Sequence, residues 1–195
     1  REHGAWLVID EAHASGVVGP RGAGVCADAG VAWEPNVVKV VTFSKALGAS
    51  GAAICGSAQV RQLLLQRGRA LIYSTGLAHP VVAAVDAALA VLQDEPEHRE
   101  RLARNTVLMH ELVDRIADPG HVCALPMLPL TVGSARRAVL LESALWDAGW
   151  MVHALRPPTV AEDSSRLRLT VSALHEPDEI LGVAQALRES LVAIS

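Results

Sequence analysis

The sequence predicts an α/β fold made of two domains. In the first half, short β-branched apolar runs alternate with glycine-rich loops and helical segments. Hydrophobic residues form 51% of the 195 residues, enough for a substantial core. Around residues 94–96 (DEP) a long charged segment begins. We therefore place a domain boundary near residue 94.

Three strands and two helices are predicted within residues 1–94. Apolar runs predict the strands, the first of them buried, at residues 5–9 (AWLVI, before Asp10), 37–43 and 51–56. Glycines between residues 16 and 24 mark a long loop after the first strand. Helical spacing predicts helices at residues 57–68, ending at Gly68, and 80–93, which begins with Pro80 and is apolar enough to be mostly buried.

The sequence of residues 95–195 predicts one long helix, followed by strands and helices in the order β-α-β-β-α. Residues 97–117 form the long helix, with charges along one face. Hydrophobic periodicity then predicts, in order, a strand near 126–132, a helix near 134–148, strands near 150–155 and 166–172, and a helix from about 177 to 193.

Composition excludes several classes of protein. No run of about 18 residues is free enough of charges and turn-forming residues to span a membrane. The net charge of −4 is spread along the chain, which disfavours a nucleic-acid partner. The three cysteines, Cys26, Cys55 and Cys123, form no C-x-x-C pair, so we expect no metal site or disulfide framework and a reducing, cytoplasmic location.

The first residues lack the pattern of a signal peptide, so we expect none here, and the sequence does not begin with Met. It opens almost at once on an apolar strand, and we expect it to be the later part of a longer chain.

Residues 10–13 spell DEAH, the sequence that names a family of nucleic-acid helicases. Such an ATPase needs a phosphate loop, G-x-x-x-x-G-K-[ST]. The chain has two lysines, Lys39 and Lys45, and neither follows a glycine. Aromatic residues are only 3% of the chain, which leaves no platform for stacking single-stranded bases. A helicase is therefore disfavoured.

Lys45 lies among small residues on a short loop after a predicted buried strand. A lysine in such a place is poorly hydrated and more easily deprotonated, as a nucleophile that forms a Schiff base must be. A surface lysine in a salt bridge is the alternative. Asp10 ends the preceding strand, and ligands collect at the carboxyl ends of neighbouring strands in α/β sheets. A carboxylate beside a pyridine nitrogen is what makes pyridoxal phosphate an electron sink.

Four sequence blocks resemble those of the α-oxoamine synthases, a pyridoxal-phosphate family of fold type I. They are VIDEAHASGVVGPRGAGV, VVTFSKALGASGAAICGS, LIYSTGLAHP and LRPPTVAEDSSRLRLTVSALHEPDEI. The blocks cover most of the chain and follow the family's order. The resemblance implies that residues 1–94 are the carboxyl-terminal part of the family's large, mostly parallel-sheet domain and that residues 95–195 are its complete, smaller α+β domain. One departure is His79-Pro80, where the family usually has Pro-Pro, and it leaves the local loop shape open.

The resemblance assigns roles to residues of the first three blocks. Lys45 is the Schiff-base lysine, Asp10 the partner of the pyridinium nitrogen and His13 a contact of the ring oxygen. Thr42 binds the phosphate. Glu11 and Ala12 then serve only as spacers.

Three further contacts are implied. Ser44 assists at the phosphate, and Thr75 approaches the phosphate of the neighbouring subunit, which requires a homodimer with shared active sites. In the fourth block Arg168 pairs with the amino-acid carboxylate, for which a planar guanidinium is well suited, and Thr159 lines the substrate pocket.

Two ordinary explanations stay open in the fourth block. Arg166 and Arg168 share one face of a strand and could form surface ion pairs. His175 is better explained as a residue at the start of a helix than as a catalyst.

The RPPTV and RLRLTVSALHE segments are most similar to the branch of the family that serves biotin biosynthesis. The implied reaction is a decarboxylative condensation of L-alanine with a pimeloyl thioester, carried on CoA or acyl carrier protein. Lys45 releases the cofactor to alanine and then removes the α-proton. Another reaction of the family, such as the condensation of glycine with acetyl-CoA or succinyl-CoA, remains an alternative. A non-catalytic pyridoxal-fold subunit is disfavoured because Lys45 is present. We expect these 195 residues alone to be inactive.

Overall fold

The computed structural model of the chain describes residues 3–117 and 125–194. The chain divides into two compact units, Arg1–Arg99 and Glu100–Ser195. The division lies five residues beyond residue 94, where the sequence predicts a boundary. That the first unit is part of a larger domain stays a prediction. Cys123 lies outside the described residues.

A three-stranded sheet organises the first unit. Its strands are β1 (Leu7–Asp10), β2 (Val37–Thr42) and β3 (Ala52–Cys55), in the order β1-β2-β3. β1 and β2 run parallel, and β2 and β3 antiparallel. The carboxyl ends of β1 and β2 therefore lie at one edge of the sheet. All three strands were predicted from the sequence.

The prediction that β1 is buried is wrong. Leu7 keeps 42% of its surface exposed and Val8 68%. β1 is an edge strand, and no described segment packs over these two side chains. Apolar periodicity identified the strand, but burial depends on partners that lie far away along the chain.

The connection from β1 to β2 is more ordered than the predicted loop. It contains a 3-10 turn at Pro20–Gly22 and a short helix, α1 (Val25–Asp28). Ser15 and Ala23 pair as an isolated antiparallel bridge that closes the loop between them.

Three helices follow β3. α2 (Ala58–Arg67) begins at Ser57, whose hydroxyl accepts a hydrogen bond from the Val60 N–H, and ends before Gly68, as predicted. α3 is a single turn (Arg69–Ile72), and α4 (His79–Asp94) carries Pro80 in its first turn. The expectation that α4 is mostly buried is wrong: among its residues Val85 is buried, whereas the others are half-buried or exposed because no described segment covers most of the helix.

The second unit is an α+β layer. Its elements are α5 (Glu97–Asp114), β4 (Met127–Gly133), α6 (Ala135–Asp147), β5 (His153–Leu155), β6 (Ser165–Thr170) and α7 (Pro177–Ala193). α5 begins at the end of the first unit. The strands form an antiparallel sheet in the order β4-β6-β5. Each element was predicted to within a few residues.

Period-two alternation places the core of this unit on one face of the sheet. Leu167 and Leu169 of β6 are buried beside Leu128 and Leu130 of β4, and helices α5, α6 and α7 contribute most of the other residues of the cluster. Burying each leucine contributes about 1.5–3 kcal/mol. The intervening residues of β6, including Arg168, are directed to the other face.

No helix within residues 3–117 and 125–194 is long and apolar enough to cross a membrane. The same residues contain no group of three or more His, Cys, Asp or Glu side chains that could hold a metal ion.

Candidate functional site

Asp10 is the last residue of β1 and is exposed at the carboxyl edge of the sheet. Its Oδ1 accepts a hydrogen bond of 2.9 Å from the Ala12 N–H. The chain then turns, because the Ala14 and Ser15 N–H groups both donate to the Glu11 carbonyl at 2.9 Å. An ionised carboxylate can accept further bonds through its second oxygen. Asp10 is thus oriented by its own turn and can still receive a ligand.

His13 lies inside that turn with its ring exposed. It follows Asp10 by three residues, in the turn that comes directly after β1. A joint role of Asp10 and His13 stays a prediction.

Thr42 ends β2 and carries an unpartnered buried hydroxyl. Its backbone pairs with Ala52, whereas its Oγ1 is closed off from solvent and has no hydrogen-bond partner among the described residues. Leaving such a group unsatisfied costs about 1–3 kcal/mol. A polar ligand at this edge would remove that cost. The orphaned hydroxyl therefore fits the predicted phosphate contact.

Lys45 begins a turn just beyond β2. The Gly48 N–H donates to its carbonyl at 3.0 Å, and the base of the loop is closed by Phe43, which donates to Gly51 O at 2.9 Å and accepts from the Ala49 N–H at 2.8 Å. Leu47 is buried and anchors the loop. The loop that follows β2 thus places Lys45 beyond the ends of the strands.

The expectation of a poorly hydrated Lys45 is wrong for the described residues. Lys45 and Ser44 are both exposed, because in this loop only Leu47 is packed against the unit. The alternative of a surface salt bridge is not seen either, since Lys45 has no ion pair within the described residues. Its amine is accessible.

Thr75 lies on the exposed segment between α3 and α4. Two residues later, Leu77 packs against Gly51, where a Cβ added to the glycine would lie 2.8 Å from a leucine methyl. Gly51 has φ +101°, a conformation that favours glycine. The segment carrying Thr75 therefore packs against the loop that follows Lys45, while its approach to a neighbouring subunit stays a prediction.

The two predicted substrate residues belong to the second unit. Arg168 is half-buried on β6 and pairs with Pro129 of β4 and His153 of β5. It borders a cavity of about 430 Å³ that is also lined by Met109, Trp150, Val152, His175 and Ile180, among others. Thr159 is exposed, in a turn closed by its N–H and the Arg156 carbonyl at 3.0 Å.

Two neighbouring side chains have local structural partners. Arg166 donates from Nε to the Ser164 carbonyl at 3.1 Å. His175 Nδ1 accepts the Ser172 N–H at 3.3 Å just before α7, which begins after its N-cap, Glu176. Both contacts agree with ordinary structural roles.

Glu11 is the residue that the sequence-based interpretation missed. The sequence suggests only a spacer, yet Glu11 is the most deeply buried acidic side chain described, 1% exposed. Its Oε1 accepts the Cys26 N–H at 2.9 Å. Glu11 follows the last residue of β1, and its side chain is buried whereas that of Asp10 is exposed. No local pattern in the sequence indicated this burial.

The carboxylate of Glu11 also affects a thiol. Burial raises the pKa of Cys26 from its ordinary value of 9.0 to about 11, helped by the hydrogen bond and charge of Glu11 and opposed by Lys39. Cys26 therefore stays a protonated, unreactive thiol near neutral pH.

Comparison with known proteins identifies the family of the chain. The family described as aminotransferase class I and II matches residues 1–187. The chain is 42% identical to an 8-amino-7-oxononanoate synthase of Anaeromyxobacter dehalogenans (strain 2CP-C), over 97% of the chain and 47% of the relative. It is 36% identical to the enzyme of the same name from Methylococcus capsulatus, over 98% and 49%. The chain thus spans about half the length of these curated relatives.

Two solved structures are similar to the chain over nearly its whole length. A high-resolution structure of SPT with a PLP internal aldimine superposes with a TM-score of 0.90 at 28% identity, covering 99% of this chain and 49% of that one. The crystal structure of 8-amino-7-oxononanoate synthase from Francisella tularensis gives 0.84 at 26% identity, covering 96% and 55%. These matches confirm the predicted fold class and the resemblance on which it was based. The chain belongs to the aminotransferase class I and II family.

Proposed function

We propose that the protein containing this chain is a pyridoxal-phosphate-dependent C-acyltransferase. It condenses L-alanine with a pimeloyl thioester, on CoA or acyl carrier protein, and releases CO2, the free thiol of the carrier and 8-amino-7-oxononanoate for biotin biosynthesis. The observation that carries the proposal is the convergence of Asp10, Thr42 and the Lys45 loop at one sheet edge. The names of the curated relatives support the choice of reaction.

The residues at this edge fit the cofactor. Lys45 has an accessible amine for the cofactor aldehyde, and Asp10 has a carboxylate oxygen for the pyridine nitrogen. Thr42 supplies its orphaned hydroxyl to the phosphate, and His13 approaches the ring oxygen. The bound cofactor supplies an electron sink that stabilises a carbanion next to the amino group.

Two more hydroxyls complete the proposed phosphate site. Ser44 lies next to Lys45 and is exposed in the same loop. Thr75 is assigned to the phosphate of the partner subunit in a homodimer, and its exposure in this chain agrees with that role.

Lys45 moves the proton in the proposed reaction. Its Nζ takes the α-proton of the bound L-alanine as general base and returns a proton to the product. A base accepts a proton through a free lone pair, and no ion pair engages the Lys45 amine in the described part of the chain. The Asp10 carboxylate pairs with the pyridine nitrogen, which keeps the electron sink effective.

Arg168 and Thr159 are assigned to the substrate. The guanidinium of Arg168 forms two parallel hydrogen bonds with the alanine carboxylate, the geometry for which arginine is best suited. Thr159 contributes an exposed hydroxyl from its turn. The reaction is assigned to the cytoplasm, where Cys26 and Cys55 remain free thiols.

The chain offers a matched pair of variants to test the lysine. Lys45→Ala in the full-length protein is expected to abolish the visible absorbance of bound cofactor that borohydride reduces. Lys39→Ala is the control, because Lys39 is the other lysine of the chain and lies 5.5 Å from the centre of the Trp33 ring. Survival of the reducible absorbance in Lys45→Ala would contradict the assignment.

The substrate is tested with the unaltered full-length protein. L-alanine with pimeloyl-CoA or pimeloyl-acyl carrier protein is expected to have the highest kcat/KM in a panel of amino acids and acyl thioesters. A preference for glycine with acetyl-CoA or succinyl-CoA would replace this substrate assignment with another reaction of the same family.

A further inference from the structure

The buried carboxylate of Glu11 lies directly behind the candidate site. Its backbone N–H continues the sheet by donating to Val40 O at 2.8 Å, and its Oε1 accepts the Cys26 N–H at 2.9 Å. Glu11 therefore joins the end of β1 to a residue fifteen positions later. Its second oxygen, Oε2, is buried and has no hydrogen-bond partner among the described residues.

The space around Oε2 is closed by Gly24. A Cβ built on Gly24 would lie 1.4 Å from Oε2, and the glycine has φ +92°. Both the contact and the backbone conformation exclude a larger residue here. The Gly24 N–H donates to Val18 O at 2.8 Å, so the loop closes upon itself against the carboxylate.

The other end of the same loop contacts the segment that carries Lys45. Gly16 has φ +83°, and a Cβ built on it would lie 2.4 Å from the Cβ of Ala46. The Gly16 N–H donates to Gly22 O at 2.7 Å, which fixes this close approach. The loop therefore touches the residue next to Lys45 at one end and holds Glu11, next to Asp10, at the other.

We propose that Glu11, Gly24, Cys26 and Gly16 form a brace, the Glu11 brace, which positions Asp10, His13 and Lys45 for the reaction. Glu11 is a positioning residue: it acts through its two neighbours in the chain and through Gly16, and it does not touch substrate. The inference rests on the proposed function for what is positioned, whereas the brace itself rests on contacts of the first unit alone.

A small displacement at this place has a large effect on catalysis. Reactions that depend on exact orientation lose about 100-fold in rate when a reacting group moves by about 1 Å. Removing the Glu11 carboxylate leaves the Cys26 N–H unsatisfied and opens a gap beside Gly24. The turn that carries Asp10 and His13 then loses its inner support.

The test compares Glu11→Ala, Glu11→Gln and the control Asp28→Asn in the full-length protein. Asp28 is an exposed carboxylate two residues beyond Cys26. Hydrogen exchange of the Cys26 amide is measured in cofactor-free protein. The visible absorbance of bound cofactor is then recorded against pH, and kcat and KM for L-alanine are measured.

Glu11→Ala is expected to speed exchange of the Cys26 amide, to shift the pH at which the visible absorbance changes, and to lower kcat by about 100-fold with little change in KM. Glu11→Gln keeps an acceptor for the Cys26 N–H and is expected to restore most of these properties. Asp28→Asn is expected to resemble the unaltered protein. A folded Glu11→Ala variant with faster exchange but unaltered pH profile and kcat would overturn the proposal.

A second variant decides the case if Glu11→Ala does not fold. Gly16→Ala forces Ala46 away while the Glu11–Cys26 contact remains, and it is expected to lower kcat and shift the same pH profile. Unaltered values in a folded Gly16→Ala variant would overturn the positioning role. Absence of cofactor absorbance in the unaltered protein would instead contradict the proposed function, and the exchange measurement would still test the Glu11–Cys26 contact.

Discussion

Replacing Thr42 with valine is expected to have opposite effects on the cofactor-free and cofactor-bound protein. Valine has almost the same shape and keeps the β-branched side chain that suits a strand. The substitution therefore removes mainly the hydroxyl, whose oxygen is buried without a partner in the described residues. Threonine to valine is a change in hydrogen bonding at nearly constant volume.

The magnitudes follow from the environment of that oxygen. An unsatisfied buried hydroxyl costs about 1–3 kcal/mol, so Thr42→Val is expected to raise the free energy of unfolding of the cofactor-free protein by about 1 kcal/mol. With cofactor, the variant loses a hydrogen bond to a charged phosphate worth about 1.5–3 kcal/mol. The Kd for pyridoxal phosphate should then rise by roughly 10- to 100-fold.

Denaturant unfolding of the cofactor-free protein and a cofactor titration by absorbance measure the two effects. Thr131→Val is the control, because Thr131 is an exposed strand threonine on β4. It should change neither quantity by more than a small fraction of the Thr42→Val effects. A Thr42→Val variant that is less stable without cofactor, yet binds pyridoxal phosphate as tightly as the unaltered protein, would refute the reasoning.

Three further predictions concern the core, the thiol and the substrate arginine. Leu167→Ala, at a fully buried position, should lower the free energy of unfolding by about 2–5 kcal/mol. Leu174→Ala, at a position 77% exposed, should leave it nearly unchanged. Equal losses of stability in the two variants would contradict the core assignment. The folded state holds the Cys26 thiol proton more tightly than the unfolded state, because its pKa is raised from 9.0 to about 11. The protonated thiol therefore contributes fully to the free energy of unfolding below pH 9, and this contribution is lost as the pH rises through 11. Unfolding measured from pH 8 to 11 in wild type and Cys26→Ala should show this loss only in the wild type. Arg168→Lys should raise KM for L-alanine about tenfold, because lysine cannot form the paired hydrogen bonds of a guanidinium, whereas the same change at exposed Arg136 should not alter KM.

Local signals predicted most of the fold. α2 and α6 begin at Ser57 and Ser134, whose hydroxyls accept bonds from the backbone three residues later. α7 begins with a capping box between Glu176 and Glu179. Such contacts act within one turn, so the amino-acid order alone is enough to indicate them. The strands were equally evident from β-branched apolar runs.

The candidate site could be proposed from the sequence for a similar reason, and its roles stay predictions. Asp10, Thr42 and Lys45 stand at strand ends, and in an α/β sheet those ends meet at one edge. Their residue types indicated the chemistry before any distance was known. The hydration of Lys45 was predicted wrongly, because it depends on what packs around the loop and not on the loop's own residues.

The sequence by itself determined the order of helices and strands and the family, because these depend on periodicity and short motifs, and it also suggested the residues that we propose for the cofactor. Only the tertiary structure decided which groups are buried. Among the described residues it left β1 and most of α4 exposed, and it gave Glu11 a buried position against Gly24 and Cys26. It also brought Gly16 against Ala46, thirty residues further along the chain. Burial and close approach arise between residues that are distant in sequence, and no local pattern records them.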